Sequence, residues 1–271
     1  MKHYDIDSID NRDPELVERA MTVLEGPLTR YFRHVIHGLE HIPPGAALYV
    51  GNHSSGPITP DTFTFAIAAY REHGIDAVPY GLGHEVAISV PFVHQLLVPL
   101  GAVRACHDTA HRLFARDKKV LVYPGGDLDS WRVHRDRDKV IFGPRRGYVR
   151  LALRAGVPIV PVVTAGAQET YIVLYDGQWL AKLLRTDALF RIKAWPIVLS
   201  LPWGLTIGPP LPYIPLRTRI HQAVLPPIRF TRTGDDAAAD AGYVERCHRE
   251  VHDAMQRALT QLAAERSLAR A

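Results

Sequence analysis

The feature that most constrains this chain is an alternation of short apolar runs with segments of helical spacing. Residues 46–50 (AALYV), 119–123 (KVLVY) and 157–163 (VPIVPVV) are short, apolar and bounded by Gly or Pro, as buried strands are. Between them lie patterns of helical type. Residues 60–73 open with Pro60 at the first helical position and Thr59 as N-cap. Residues 145–155 place Tyr148, Val149, Ala152 and Leu153 on one face, and Gly156 stops the helix. Strand, helix and strand at this spacing predict βαβ units. The expected fold class is therefore α/β: a single domain with a mostly parallel sheet flanked by helices.

The remaining elements are read the same way. Residues 14–36 form a helix starting at Pro14, 76–80 a strand, and 84–97 a helix. Asp108 caps a helix that runs to Arg116, and 218–225 is a late strand. Residues 239–266 read as a long amphipathic helix with Val244, Val251, Met255, Leu259 and Leu262 on one face. Residues 195–230 are rich in Pro and apolar side chains and show no clean period. The expected organisation is an N-terminal helical segment over 1–37, an α/β domain over 38–230, and a C-terminal helix over 239–271 packed on it.

Composition narrows the function classes. At 271 residues the chain is long enough for one large core. A net charge of +4 fits attraction to anionic headgroups or phosphorylated substrates, and equally a plain basic protein. No nucleic-acid motif accompanies the basicity. Cys106 and Cys247 are the only cysteines, too few for a disulfide framework or a cysteine zinc site. The opening MKHYDIDSIDNRDPE is polar and acidic, unlike a signal peptide. The most apolar stretch, residues 86–103, approaches membrane-span length. Pro91, His94, Gln95 and Pro99 interrupt it, so a buried or interface-lying helix is expected.

The chemistry concentrates in Gly51-Asn52-His53-Ser54-Ser55-Gly56-Pro57-Ile58-Thr59-Pro60-Asp61. A His sits in a loop directly after a strand, and an Asp sits at the start of the next helix. Reactive groups collect at the carboxyl ends of strands in α/β sheets. An imidazole accepts a proton near neutral pH, and a carboxylate on its other nitrogen fixes the tautomer. A structural His in a surface loop is the competing reading. A serine nucleophile is not, because the segment lacks the G-x-S-x-G elbow.

The Asn52-His53-Ser54 block resembles the first motif of the glycerolipid acyltransferases, the phospholipid/glycerol acyltransferase superfamily. Further blocks follow in the expected order. Leu100-Gly101-Ala102-Val103-Arg104 resembles the second. Val122-Tyr123-Pro124-Gly125-Gly126-Asp127 with Trp131-Arg132 resembles the third, and its Pro-Gly-Gly form is closer to the diacylglycerol-acyltransferase-like branch than to the Pro-Glu-Gly form of the lysophosphatidate branch. Arg146-Gly147-Tyr148 with Gly156-Val157-Pro158-Ile159-Val160-Pro161-Val162 resembles the fourth. The resemblance covers about residues 38–170. It implies His53 as catalytic base with Asp61 as its partner, and Asn52, Ser54, Arg104, Gly125, Gly126, Asp127 and Arg132 as substrate-binding residues. It implies acyl-CoA or acyl carrier protein as donor, a glycerol phosphate or lysophospholipid as acceptor, and no metal or other cofactor. A neutral acceptor such as diacylglycerol, or a lipid-binding protein with a decayed site, is the alternative. The expected location is cytoplasmic, at the inner face of the plasma membrane.

One departure stands out. The family's usual spacing leaves four residues between the His and the Asp. Here seven lie between His53 and Asp61. Either the loop bulges or another group orients the imidazole.

Other constellations carry less. His107 with His111, and His248 with His252, have zinc-compatible spacing but no third ligand in motif position. Arg104, Arg132, Lys139, Arg145 and Arg146 flank the later blocks, and Arg suits phosphate. Trp195, Pro196, Pro202 and Trp203 frame the run 197–201, with Arg185, Arg191 and Lys193 before it. That pattern fits a membrane interface or an interior strand.

Overall fold

The computed structural model describes residues 3–268 apart from 178, 180–194 and 209. Arg185, Arg191 and Lys193 lie outside the described residues. Chain order begins with α1 (Pro14–Tyr31), β1 (Val35–His37), β2 (Ala47–Gly51), α2 (Pro60–His73) and β3 (Tyr80–Gly83). Short helices α3 (Glu85–Ser89) and α4 (Pro91–Leu97) lead to β4 (Ala102–Arg104), α5 (His107–Phe114) and β5 (Lys119–Val122). Then come α6 (Asp127–Ser130), α7 (Gly147–Ala155) and β6 (Ile159–Ala165). Strands β7 (Ile172–Tyr175), β8 (Ile197–Ser200), β9 (Gly204–Ile207) and β10 (His221–Val224) precede α8 (Asp235–Ala239) and α9 (Ala241–Leu268).

The main sheet has seven strands in the order β1-β10-β6-β2-β5-β3-β4. Neighbours are parallel except β10, which runs antiparallel to β6. The expected mostly parallel, helix-flanked sheet is present. β2 is buried along its whole length because both faces are covered. Leu48 and Val50 point to the layer formed by α5, α7, α8 and α9. Ala47 and Tyr49 point to the layer that includes Phe65 and Ala69 of α2. Each such fully buried aliphatic side chain is worth about 1.5–3 kcal/mol over exposure.

Several boundaries differ from the sequence expectation. Helix α1 ends at Tyr31, and residues 35–37 are strand β1. Arg33 at positive φ breaks the helix, and Val35-Ile36 suits a strand. Because β1 pairs with β10, residues 1–37 do not stand apart as a helical segment. The strand expected at 76–80 falls at Tyr80–Gly83, after a turn at Ile75–Ala77. Its two glycines hide it from propensity rules; a Cβ on Gly83 would meet Ile88 at 2.5 Å. The helix at 84–97 splits at Val90, extended because a proline follows. Cys106, not Asp108, caps α5, its Sγ 3.4 Å from Thr109 N.

The hard-to-read region holds β8 and β9, which with the earlier β7 form a second sheet, antiparallel, in the order β7-β8-β9. Tyr171, Val173, Val198 and Tyr213 pack against Ile58 and Trp131. No helix among the described residues is long and apolar enough to cross a membrane.

Candidate active site

His53 lies just beyond the carboxyl end of the central strand β2. Its main chain is held on both sides. The His53 N–H donates to Asp129 Oδ2 at 2.6 Å. Its carbonyl accepts from Arg132 Nη2 at 3.4 Å and from Gln168 Nε2. The ring stands over Tyr123 with centroids 4.9 Å apart. The Tyr123 hydroxyl in turn bonds Thr62 at 2.6 Å. Gly51 permits this approach, since a Cβ there would meet the Tyr123 ring at 2.5 Å.

His53 Nδ1 is 2.8 Å from the Ser54 carbonyl. A carbonyl only accepts, so Nδ1 is the protonated nitrogen and Nε2 carries the lone pair. This is the tautomer a general base needs.

Asp61 is buried at the start of α2, and its Oδ1 has no hydrogen-bond partner. Burial raises its carboxyl to about 6; the nearby His53 and the Ser54 hydroxyl pull the other way. Its carbonyl accepts from Gln222 Nε2 at 3.1 Å. Gln222 also bonds Thr164 Oγ1 at 2.9 Å and His34 at 2.7 Å. Desolvation lowers His34 to about 4, so it stays neutral and donates to Gln222.

Both answers to the long spacing are realised. The loop bulges onto the small sheet, with Gly56 N–H on Ser130 O at 3.0 Å and Ile58 N–H on Tyr213 Oη at 3.2 Å. Asp61 nevertheless returns beside His53, close enough to interact electrostatically, while Ser54 holds Nδ1.

The other expected site residues divide. Ser54 and Asp61 gather at His53. Asn52 is buried and clamps β2 to β6, its side chain exchanging two 2.8 Å bonds with the Thr164 main chain. Gly125 is demanded by packing and Gly126 by its positive φ. A Cβ on Gly125 would sit 2.2 Å from Ile141 O, and one on Gly126 (φ +50) would sit 2.2 Å from Arg145 Nη1. Asp127 pairs with Arg145, which also donates to Gly125 O at 2.6 Å. Arg132 has no exposed side-chain surface and lies 3.3 Å from Asp129, also fully buried. Arg104 ends β4, three strand positions from β2, which is about 14 Å at ordinary strand spacing. Its guanidinium takes both oxygens of Asp7 at 2.7 and 2.6 Å. The structure does not bring it to His53.

Asp129, Gln168, Tyr123 and Gln222 are site residues that sequence reasoning missed. Asp129 had a usable signal, a carboxylate three residues before Arg132 in the third block. Gln168 and Gln222 had none. The second histidine pair is engaged within the fold: His248 with the Tyr148 hydroxyl at 2.9 Å, His252 with Val140 O at 3.2 Å.

A family model described as Acyltransferase matches residues 33–165, the span that carries β1 to β6 and His53. Residues 33–165 thus form an acyltransferase-family domain, similar to the glycerolipid acyltransferases. The chain is 31% identical over 221 residues to an uncharacterized protein of Mycobacterium tuberculosis, across 79% of this chain and 58% of that one. It is 26% identical over 196 residues to the mouse "DGAT1/2-independent enzyme synthesizing storage lipids", across 72% of this chain and 57% of that one. The chain thus spans less than two thirds of the length of these relatives. Its fold is similar to the crystal structure of the 1-acyl-sn-glycerophosphate acyltransferase PlsC of Thermotoga maritima. That match has a TM-score of 0.55 and 17% identity, over 93% of this chain and 84% of the other.

Proposed function

We propose that the acyltransferase moves a fatty acyl group from a thioester, acyl-CoA or acyl carrier protein, to a lipid hydroxyl. The observation that carries this reading is His53: Nδ1 held by Ser54, Nε2 free to take a proton, and a buried carboxylate alongside. Nε2 takes the acceptor's proton as its oxygen attacks the thioester carbonyl. The tetrahedral oxyanion collapses, the C–S bond breaks, and the leaving thiolate recovers that proton from the imidazolium. Ester and free thiol result. The His53 and Gly56 amides are already bonded, so the Ser54 and Ser55 amides are the loop donors left for the oxyanion. The reaction needs no metal or other cofactor.

Two acceptor classes compete. The sequence expectation is a glycerol phosphate or lysophospholipid, held by Arg104 and Arg132. The arginine placement favours a neutral lipid alcohol such as diacylglycerol. Arg104 is bound to Asp7 away from His53, and Arg132 is sealed behind the His53 main chain. The mouse relative's printed name, which refers to storage lipids, points the same way. Work at the inner face of the plasma membrane completes the proposal; no helix among the described residues is long and apolar enough to cross it. The test is a panel of acceptors incubated with radiolabelled acyl-CoA, with product identification. Ester formed only on diacylglycerol-type acceptors supports the neutral reading. Ester formed only on lysophospholipid or glycerol phosphate restores the phosphorylated one. Thioester hydrolysis unaffected by any acceptor defeats both.

A further inference from the structure

About half of the large apolar side chains exposed among the described residues lie on or beside the small sheet β7-β8-β9. An antiparallel sheet with one face on a core ordinarily turns polar residues outward. Here the inward face packs Val173 and Val198 toward the His53 loop. The outward face is also apolar. Leu199 faces Leu205, and Ile197 faces Ile207, across the β8-β9 ladder. Leu199, Leu205 and Ile207 are 42%, 64% and 67% exposed. Leu201, Trp203 and Ile214 extend the patch, each more than half exposed. Contiguous exposed apolar surface of this kind marks a docking site.

We propose that this outward sheet face docks on an anionic lipid surface. From Trp195 to Leu216 the sequence holds no Asp, Glu, Lys, Arg or His, and two cations follow that span, Arg217 and Arg219. Arg217 is exposed. An uncharged apolar field with a cationic border is complementary to acyl chains beneath anionic headgroups. A second copy of the same face would bring the same positive border against itself. Trp203 suits the boundary layer: its indole N–H is satisfied by Pro212 O at 2.6 Å, which leaves the ring free to enter the acyl region. Docking here holds the His53 loop one sheet thickness, about 10 Å, from the lipid. The inference deepens the lipid-acylation reading and takes from it only that the substrate is a lipid.

The experiment is co-sedimentation with phosphatidylglycerol/phosphatidylcholine vesicles, which needs no turnover and so fails separately from the acyl-transfer reading. The variant is Leu205→Asp/Ile207→Asp; Leu205→Ser/Ile207→Ser is the gentler second variant should the first misfold. Circular dichroism reports folding of each. Loss of burial of each side chain corresponds to roughly tenfold, so vesicle affinity should fall about a hundredfold. Phe92→Asp/Leu96→Asp, on exposed positions of α4, should leave binding within about threefold on that same energy scale. Unchanged binding of the folded sheet variants overturns the proposal. So does loss caused by the α4 variant alone, or a lipid-free dimer by light scattering that Leu205→Asp dissociates.

Discussion

Asp129→Asn is the substitution whose consequence follows most directly from the geometry. The carboxylate serves two partners from full burial: Oδ2 takes the His53 N–H, and Oδ1 lies 3.3 Å from Arg132. Burial alone raises the Asp129 carboxyl, and Arg132 is the largest influence pulling it back. An asparagine has one amide oxygen. If that oxygen keeps the His53 N–H, the amide nitrogen faces the guanidinium, and Arg132 becomes a buried charge without a counter-ion. Removing one partner of a buried pair costs about 3–5 kcal/mol. At this chain length about 2–4 °C of melting temperature accompanies each kcal/mol, so the loss is about 6–20 °C. Circular dichroism melts measure it. Asp129→Asn/Arg132→Met removes both charges and should recover part of the loss, as coupled neighbours do. A melting temperature within about 2 °C of wild type for the single variant would refute the reasoning, on the same conversion. So would a double variant showing the simple sum of the two single losses.

Three further outcomes are expected. His53→Ala should lower acyl transfer by about 10²–10⁴-fold in a chain that melts normally; a folded variant with most of its activity ends the general-base assignment. Asp61 titrates near 6 when folded and near 4 when unfolded, so the folded state binds the extra proton between those values, and stability from that proton is lost as pH rises through them. Asp61→Asn should therefore gain in melting temperature relative to wild type from pH 4 to 6, level off above, and lose turnover; a constant difference across that range contradicts the raised carboxyl. Arg104→Ala removes a surface pair about 40% exposed, so stability should change by less than about 1 kcal/mol and acceptor KM by less than about twofold. A selective tenfold or larger rise in KM for a lysophospholipid would return Arg104 to the acceptor site.

What was legible in the sequence was local. β2, α2 and β6 announce themselves by run length, Pro60 and Gly156, and His53 is conspicuous because a strand ends beside it. The Pro-Gly-Gly turn was legible as a turn, but its cause was not: Gly125 is required by Ile141 O and the Asp129 side chain, which come from the following loop and helix. The supports of the site were hidden because they are long-range. Asp129 reaches His53 across 76 residues, and Gln222 reaches Asp61 across 161. Propensity failed at β3 and at the small sheet, where glycines occupy β3 and open β9, Pro196 and Pro202 flank β8, and neighbouring strands fix the pairing. The pairing of Arg104 was hidden because Asp7, its partner, lies in the N-terminal segment, nearly a hundred positions away.

The antiparallel strand between β1 and β6 sets a clock on the ribosome. β2 to β6 are complete once residue 165 has emerged, but β10 begins at His221. At about 5–20 residues per second the β6 edge waits about 3–11 seconds for its neighbour. An apolar edge left open for that long invites pairing with another nascent chain. Pro161 lies in the middle of β6, and its carbonyl accepts from Leu225 N, so the position without an N–H faces the waiting edge. The proline withholds a donor from any stray strand that arrives first, while the finished protein, where Leu225 just after β10 contributes its N–H, loses nothing by it.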